Sequence, residues 1–118
     1  MLQNKYQAYK QQSVMTMTQG EMLNTLYDGL LKALYAAKGG LETRDYTVAN
    51  RELIRAQKIL NYLKTTLNHQ YEIANNLEML YNFFLQQIVQ ANVRKSSEHM
   101  DDVIDMVTQL RDAFVQAN

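Results

Sequence analysis

The chain has 118 residues, a formal net charge of zero from 12 Lys and Arg against 12 Asp and Glu, and no Pro, Cys or Trp. This length allows one domain with its own core. The absence of cysteine excludes disulfides and thiolate chemistry. The net charge of zero argues against a nucleic-acid-binding protein. The longest uncharged run, residues 79–93, contains five amides, and the N-terminus lacks a signal peptide's apolar core, so we predict a cytoplasmic protein without membrane insertion.

The first predicted helix runs from about Thr18 to Lys38, where apolar residues recur at steps of three and four. Thr18 and Glu21 have the spacing of a capping box at its start. Gly39-Gly40 is predicted to end the helix through a positive φ. The absence of proline and the presence of only 4 glycines also favour a few long helices with few turns.

Three further helices are predicted over about residues 45–67, 72–92 and 97–117, each about 30 Å long. Four matched helices with short connections predict an all-α fold, an antiparallel four-helix bundle over residues 18–117. Residues 1–17 lack a helical period and are predicted to be a flexible or capping segment that packs as a lid. The second helix is basic and the fourth acidic, which indicates either solvated faces of neighbouring helices or charges that orient a partner.

The chain lacks the patterns of an enzyme or a metal site. It contains no Glu-x-x-His pair, no His-Glu-x-x-His motif and no phosphate-binding glycine loop. His69 and His99 lie near predicted helix ends without a second ligand at helical spacing, so we expect solvated or capping histidines. We therefore predict no enzymatic activity, no cofactor and no metal.

Two helices carry surface features that allow two interpretations. On the third helix, a set of apolar residues points away from the predicted seam of Leu77, Phe84 and Ile88. These residues are Met79, Tyr81, Phe83, Leu85 and Val89. Such a helix is either buried deeply or offers an apolar groove to another helix.

On the first helix, a strip of small residues permits close approach either within the bundle or by a partner, and it consists of Gly29, Ala33 and Ala36.

Short motifs follow one another along residues 5–117. They are Tyr6-x-x-Tyr9, Thr16-x-Thr18-x-Gly20-Glu21, Leu26-Tyr27-Asp28-Gly29, Ile73-Ala74-x-Asn76-Leu77-x-x-Leu80-Tyr81 and Leu110-Arg111-Asp112-Ala113-Phe114. Each motif is weak alone, but their shared order and spacing resemble the flagellar export chaperone family FliS.

The chain departs from the family pattern in three places. Gln19 replaces the family's cap proline, and Phe114 replaces its C-terminal Trp. In the third helix, two acids and two arginines of the family are replaced by amides, which are Asn82, Gln86, Gln87 and Gln90. The net charge is kept, but any partner contact that depends on those charges is lost.

The resemblance implies a cytoplasmic chaperone that binds the C-terminal helical segment of flagellin. It further implies that the chaperone prevents premature polymerisation and assists delivery to the export gate of the flagellar type III export apparatus. A disordered segment with apolar stripes would fold as a preformed apolar groove covers it. The alternative is a structural or regulatory helical-bundle protein with a different helical partner, and weak self-association also stays open.

We expect the partner to contact the first helix and the apolar outer positions of the second and third helices, with the N-terminal segment as a displaceable lid. The predicted partner-binding residues are Tyr6, Tyr9, Val14, Leu26, Tyr27, Gly29, Ile59, Tyr62, Leu77, Met79, Tyr81 and Phe83. Tyr27 lies at the edge of the apolar stripe, which fits either a groove residue or a core residue with its hydroxyl at the rim.

Overall fold

The computed structural model describes residues 18–117, with side chains up to residue 115. Four helices account for most of this part of the chain: α1 (Gln19–Glu42), α2 (Tyr46–Thr65), α3 (Glu72–Arg94) and α4 (Met100–Ala117). Residues 18–117 contain no strand. The predicted all-α fold is confirmed.

Each helix packs against the next one in the chain, and α4 returns to pack against α1. This closed ring is the arrangement of an up-and-down bundle. The prediction that the basic second helix lies beside the acidic fourth is wrong, because α2 and α4 lie diagonally. Two ion pairs join α4 to α1 instead: Asp101 lies 2.5 Å from Lys38, and Arg111 lies 3.3 Å from Asp28.

The core consists of the inner seams of the four helices. Its largest fully buried aliphatic and aromatic side chains are Tyr27, Leu30, Leu34, Leu53, Leu60, Leu63, Tyr81, Phe84 and Ile88, together with Met100, Val103 and Val107. Burying such side chains contributes about 1.5–3 kcal/mol each. The chain has no cysteine, so no disulfide adds to this stabilisation.

The helical period also predicts Ile73 and Leu80 in the seam of α3, and the structure differs at both positions. Ala74 and Tyr81 face the core, whereas Ile73 is 63% exposed and Leu80 is half-buried. The observed seam keeps an unbroken alternation of three and four residues, as left-handed packing requires. The prediction that Tyr81 points away from the core is therefore wrong.

The first helix begins as predicted but ends later. The Thr18 side chain accepts a hydrogen bond from the Glu21 amide at 3.2 Å. The glycines do not stop the helix, since α1 continues to Glu42 and none of the glycines, all within the described residues, has a positive φ. The left-handed turn residue is Arg44, with φ 60.

Gly40 serves close packing rather than helix termination. A Cβ added there would lie 2.8 Å from the backbone nitrogen of Ala49. The backbones of α1 and α2 thus meet at this point, and Asp45 then caps α2 by accepting from the Val48 amide at 3.3 Å. This contact fixes the first hairpin of the bundle.

Candidate functional site

A groove of about 430 Å³ opens at one end of the bundle, where α1 and α3 begin and α2 and α4 end. Side chains from α1, α3 and α4 and from the α2–α3 connection line it. The apolar ones are Leu23, Leu67, Tyr71, Ile73, Ala74, Leu77, Tyr81 and Phe114. Gln19, Thr66 and Asn68 supply the polar part of its lining. A concave apolar site with a few polar groups is the usual form of a binding pocket.

The rim of the groove offers apolar surface to a partner. Tyr71 is 66% exposed and Ile73 is 63% exposed, although both line the groove. They lie at the very start of α3, where none of the four described helices covers them. Exposed apolar side chains that converge on a groove mark an interaction surface.

The α2–α3 connection beside the groove is held by hydrogen bonds. The imidazole of His69 lies between two side chains of α3: its Nε2 is 3.1 Å from Glu78 Oε2 and its Nδ1 is 3.2 Å from Asn75 Oδ1. The Gln70 amide donates to Asn68 Oδ1 at 3.0 Å. One wall of the groove is therefore fixed before a partner arrives.

Tyr81 and Phe114 form an aromatic floor of the groove, and Tyr27 lies behind them in the core. Tyr27 and Tyr81 are buried, and their hydroxyl groups hydrogen-bond to each other. The ring of Tyr27 stacks on Phe114 with centroids 5.5 Å apart. Burial raises the pKa of both tyrosines above the usual value, so the floor stays neutral. Tyr27 is a core residue, and its hydroxyl is paired inside rather than at the rim.

A second predicted surface lies between α1 and α2. Leu26 and Ile59 are partly buried against the core, and Tyr62 is exposed on α2. A Cβ added to Gly29 would lie 3.5 Å from Cδ1 of Ile59, an ordinary contact, so packing does not require glycine there. The predicted strip of small residues does not form one exposed face, since Ala33 is buried while Ala36 is exposed.

The predicted residues on α3 separate into two groups. Leu77 and Tyr81 line the end groove, whereas Met79 and Phe83 are exposed on the outer face of the helix. The nine predicted residues within residues 18–117 therefore do not form a single surface. Tyr6, Tyr9 and Val14, with the rest of the predicted lid, lie outside the described residues.

Six apolar groove residues are absent from the predicted partner set, namely Leu23, Leu67, Tyr71, Ile73, Ala74 and Phe114. They lie near the ends of α1, α3 and α4 or in the α2–α3 connection, where helical periodicity no longer indicates a face. The one signal in the sequence is the closely spaced apolar pair Tyr71 and Ile73 at a predicted helix start.

A smaller apolar cleft of about 180 Å³ lies between α3 and α4, lined chiefly by Leu80, Phe84, Met106 and Leu110.

Within residues 18–117, no group of three His, Cys, Asp or Glu side chains is placed to hold a metal ion. None of the helices there has a segment long and apolar enough to cross a lipid bilayer. The buried carboxylate of Glu52 is paired with Arg51 at 3.3 Å and Arg55 at 3.6 Å, which gives it a structural role.

The family model described as "Flagellar protein FliS" matches residues 2–118. The chain belongs to the FliS family. The flagellar secretion chaperone FliS of Bacillus subtilis is 38% identical over 116 residues, which cover 98% of this chain and 87% of that protein. The corresponding chaperone of Salmonella typhimurium is 30% identical over 88% of this chain and 79% of that protein. That of Vibrio cholerae is 28% identical over 98% of this chain and 89% of its own length.

These matches confirm the family resemblance that the sequence motifs indicated. FliS is a family of flagellar secretion chaperones and not of enzymes. The prediction that this FliS protein has no enzymatic activity is confirmed on that ground. The end groove is accordingly a candidate protein-binding site rather than an active site.

Proposed function

We propose that this FliS protein binds the C-terminal helical segment of flagellin in the cytoplasm. It thereby prevents premature polymerisation and assists delivery of flagellin to the export gate of the flagellar type III export apparatus. The relatives named as flagellar secretion chaperones support this function. The observation that carries it is the apolar groove of about 430 Å³ at the end of the bundle.

The chemistry of the groove fits an amphipathic segment. Its floor of Tyr81 and Phe114, with Tyr27 behind it, carries no charge, so an apolar side chain that enters meets no buried ion that would need a counter-charge. Covering the exposed rim at Tyr71 and Ile73 removes apolar surface from water, which contributes about 25 cal/mol per Å². Only a segment with an apolar stripe gains from both contacts.

The proposed complex is reversible because its partner orders as it binds. Ordering a disordered segment offsets about 2–5 kcal/mol of the contact energy. A chaperone that hands its cargo to an export apparatus requires this moderate affinity. The surface of Leu26, Gly29, Ile59 and Tyr62 is proposed as a second contact region for the same segment.

We further propose that residues 1–17 cover the groove when no partner is bound. This segment joins α1 at Thr18, next to the groove residue Gln19. A lid attached at the rim needs no long linker to reach the groove. The residues predicted to pack over the groove are Tyr6, Tyr9, Val14 and Met15.

Titration calorimetry with a C-terminal flagellin peptide tests the proposed function. Ile73→Glu places a charge at the groove rim and should weaken binding at least about tenfold. Ile54→Glu is the matched control, because Ile54 is also exposed but lies on α2 away from the groove. The proposal fails if the folded wild-type protein does not bind the peptide at micromolar concentrations.

A further inference from the structure

The outer face of α3 carries an uncharged stripe that lies opposite the core seam. Its apolar members are exposed, with Met79 at 71% and Val93 at 73% at the two ends. Phe83 and Val89 lie between them and are also exposed. Residues 79–93 contain no Asp, Glu, Lys or Arg. A bundle helix normally places charges on its solvated face, so the stripe needs a physical explanation.

The stripe has the same pattern in both directions from Gln86, which is itself exposed. The residues three positions before and after Gln86 are both apolar, namely Phe83 and Val89. The residues four positions before and after it are both exposed amides, namely Asn82 and Gln90. The residues seven positions before and after it are again apolar, namely Met79 and Val93. Residues at these spacings share one face of a helix.

We infer that two copies of this protein associate through antiparallel packing of their α3 stripes about a two-fold axis at Gln86. A two-fold interface uses the same patch on both subunits, so the patch must be complementary to itself. Reversing the helix about Gln86 places Met79 of one copy against Val93 of the other, and Phe83 against Val89. Asn82 then meets Gln90, so amides pair with amides.

The composition of the stripe favours a second copy over a foreign helix. A patch without charge pairs with itself without like-charge repulsion, whereas foreign partners are commonly selected by complementary charges. Amides within an apolar seam fix register and orientation, as polar residues do in coiled coils. Antiparallel helices also align their dipoles favourably. A foreign partner would not require a pattern that is symmetric about Gln86.

The size of the stripe sets the strength of the association. Its 14 helical steps span about 21 Å. The area of a single helix face of this length is smaller than the roughly 800 Å² that each partner buries in a standard stable interface. We therefore expect a dissociation constant on the order of 0.1 mM for the dimer. The association is thus dependent on concentration, and it does not rest on the proposed binding of flagellin.

Sedimentation equilibrium of the full chain tests the inference. The wild type should show dimers below about 1 mM, a range that corresponds to weak but measurable affinity. Gln86→Glu and Gln86→Lys should each weaken the dimer at least about tenfold, because two like charges meet at the axis. Mixing the two variants should restore association. Because Gln86 is exposed, circular dichroism should show an unchanged fold.

Orientation is tested by two double variants. Met79→Glu with Val93→Lys should associate more strongly than Met79→Glu with Val93→Glu, since opposite charges face each other in the antiparallel pair of the first variant and like charges in that of the second. A monomeric wild type up to about 1 mM would overturn the inference, as would equal association of the two double variants. A monomer whose Gln86→Glu variant loses flagellin-peptide binding would instead assign the stripe to that partner.

Discussion

The hydroxyl groups of Tyr27 and Tyr81 hydrogen-bond to each other in the core, across 54 positions of sequence. This bond links α1 to α3 along the diagonal of the bundle, directly beneath the end groove. Phe114 of α4 stacks on Tyr27 and completes the contact among three helices. The groove floor is therefore shaped by the fold itself and not by the arrival of a partner.

Removing one hydroxyl of this pair should destabilise the bundle. Tyr81→Phe leaves the Tyr27 hydroxyl buried without its partner, which costs about 1–3 kcal/mol. The double variant Tyr27→Phe with Tyr81→Phe should cost less than the sum of the single variants, since no polar group is stranded. Urea unfolding measures all three, with the exposed Tyr62→Phe as the control that should not change. Additive losses would show that the two hydroxyls act independently.

The stability of the protein should fall in alkali. An unperturbed tyrosine ionises near pH 10.0, whereas burial raises the pKa of Tyr27 far above that value. The unfolded chain therefore loses a proton that the folded chain keeps, and the free energy of unfolding decreases as pH rises above about 10. The Tyr27→Phe variant should show a shallower decrease in urea unfolding between about pH 8 and pH 11. An equal slope in both proteins would contradict this origin.

The two adjacent glycines of α1 should respond to alanine in opposite directions. Gly40→Ala should destabilise by about 1–3 kcal/mol, because its Cβ would lie 2.8 Å from the backbone nitrogen of Ala49. Gly39→Ala meets nothing within 4 Å and should stabilise the helix by about 0.5–1 kcal/mol. Thermal unfolding of both variants checks this pair. Equal effects would show that the two backbones do not meet at Gly40.

Deleting residues 2–15 tests the proposed lid. If this segment covers the groove, its removal exposes the apolar lining around Leu77 and Phe114. Binding of an apolar fluorescent dye should then increase, and the affinity for the flagellin peptide should rise. The matched control is Ile73→Glu in the shortened chain, which should reduce the dye signal. Unchanged dye binding together with unchanged peptide affinity would exclude the lid.

Helical periodicity predicts the bundle well because the apolar seam of each helix follows from the spacing of apolar residues within that helix alone. It predicts local exceptions poorly. Gly39 and Gly40 have the composition of a helix stop, yet both are helical, and Gly40 lies against the backbone of α2, a contact that a single segment does not encode. Tyr81 was predicted to lie outside because it was placed off the seam of Leu77, Phe84 and Ile88, whereas the hydroxyl of Tyr27 gives its hydroxyl a partner in the core.

The groove could be predicted only in part. The motif residues Tyr27, Leu77 and Tyr81 all lie at or beneath it, so the sequence indicates its neighbourhood. Leu23 and Phe114 come together only because α1 begins and α4 ends at the same end of the bundle. The charges of the helices also did not predict which helices are neighbours, since the acidic α4 pairs with Lys38 of α1 and not with the basic α2.

The most direct test of the central claim is an amide chemical-shift titration of the full chain with a C-terminal flagellin peptide. The proposed function predicts saturable shifts that concentrate at Leu23, Leu67, Ile73 and Leu77 around the end groove. Shifts at the second contact region of Gly29 and Ile59 should follow the same saturation. A folded protein whose groove resonances do not move, or whose shifts saturate only at another surface, would contradict it.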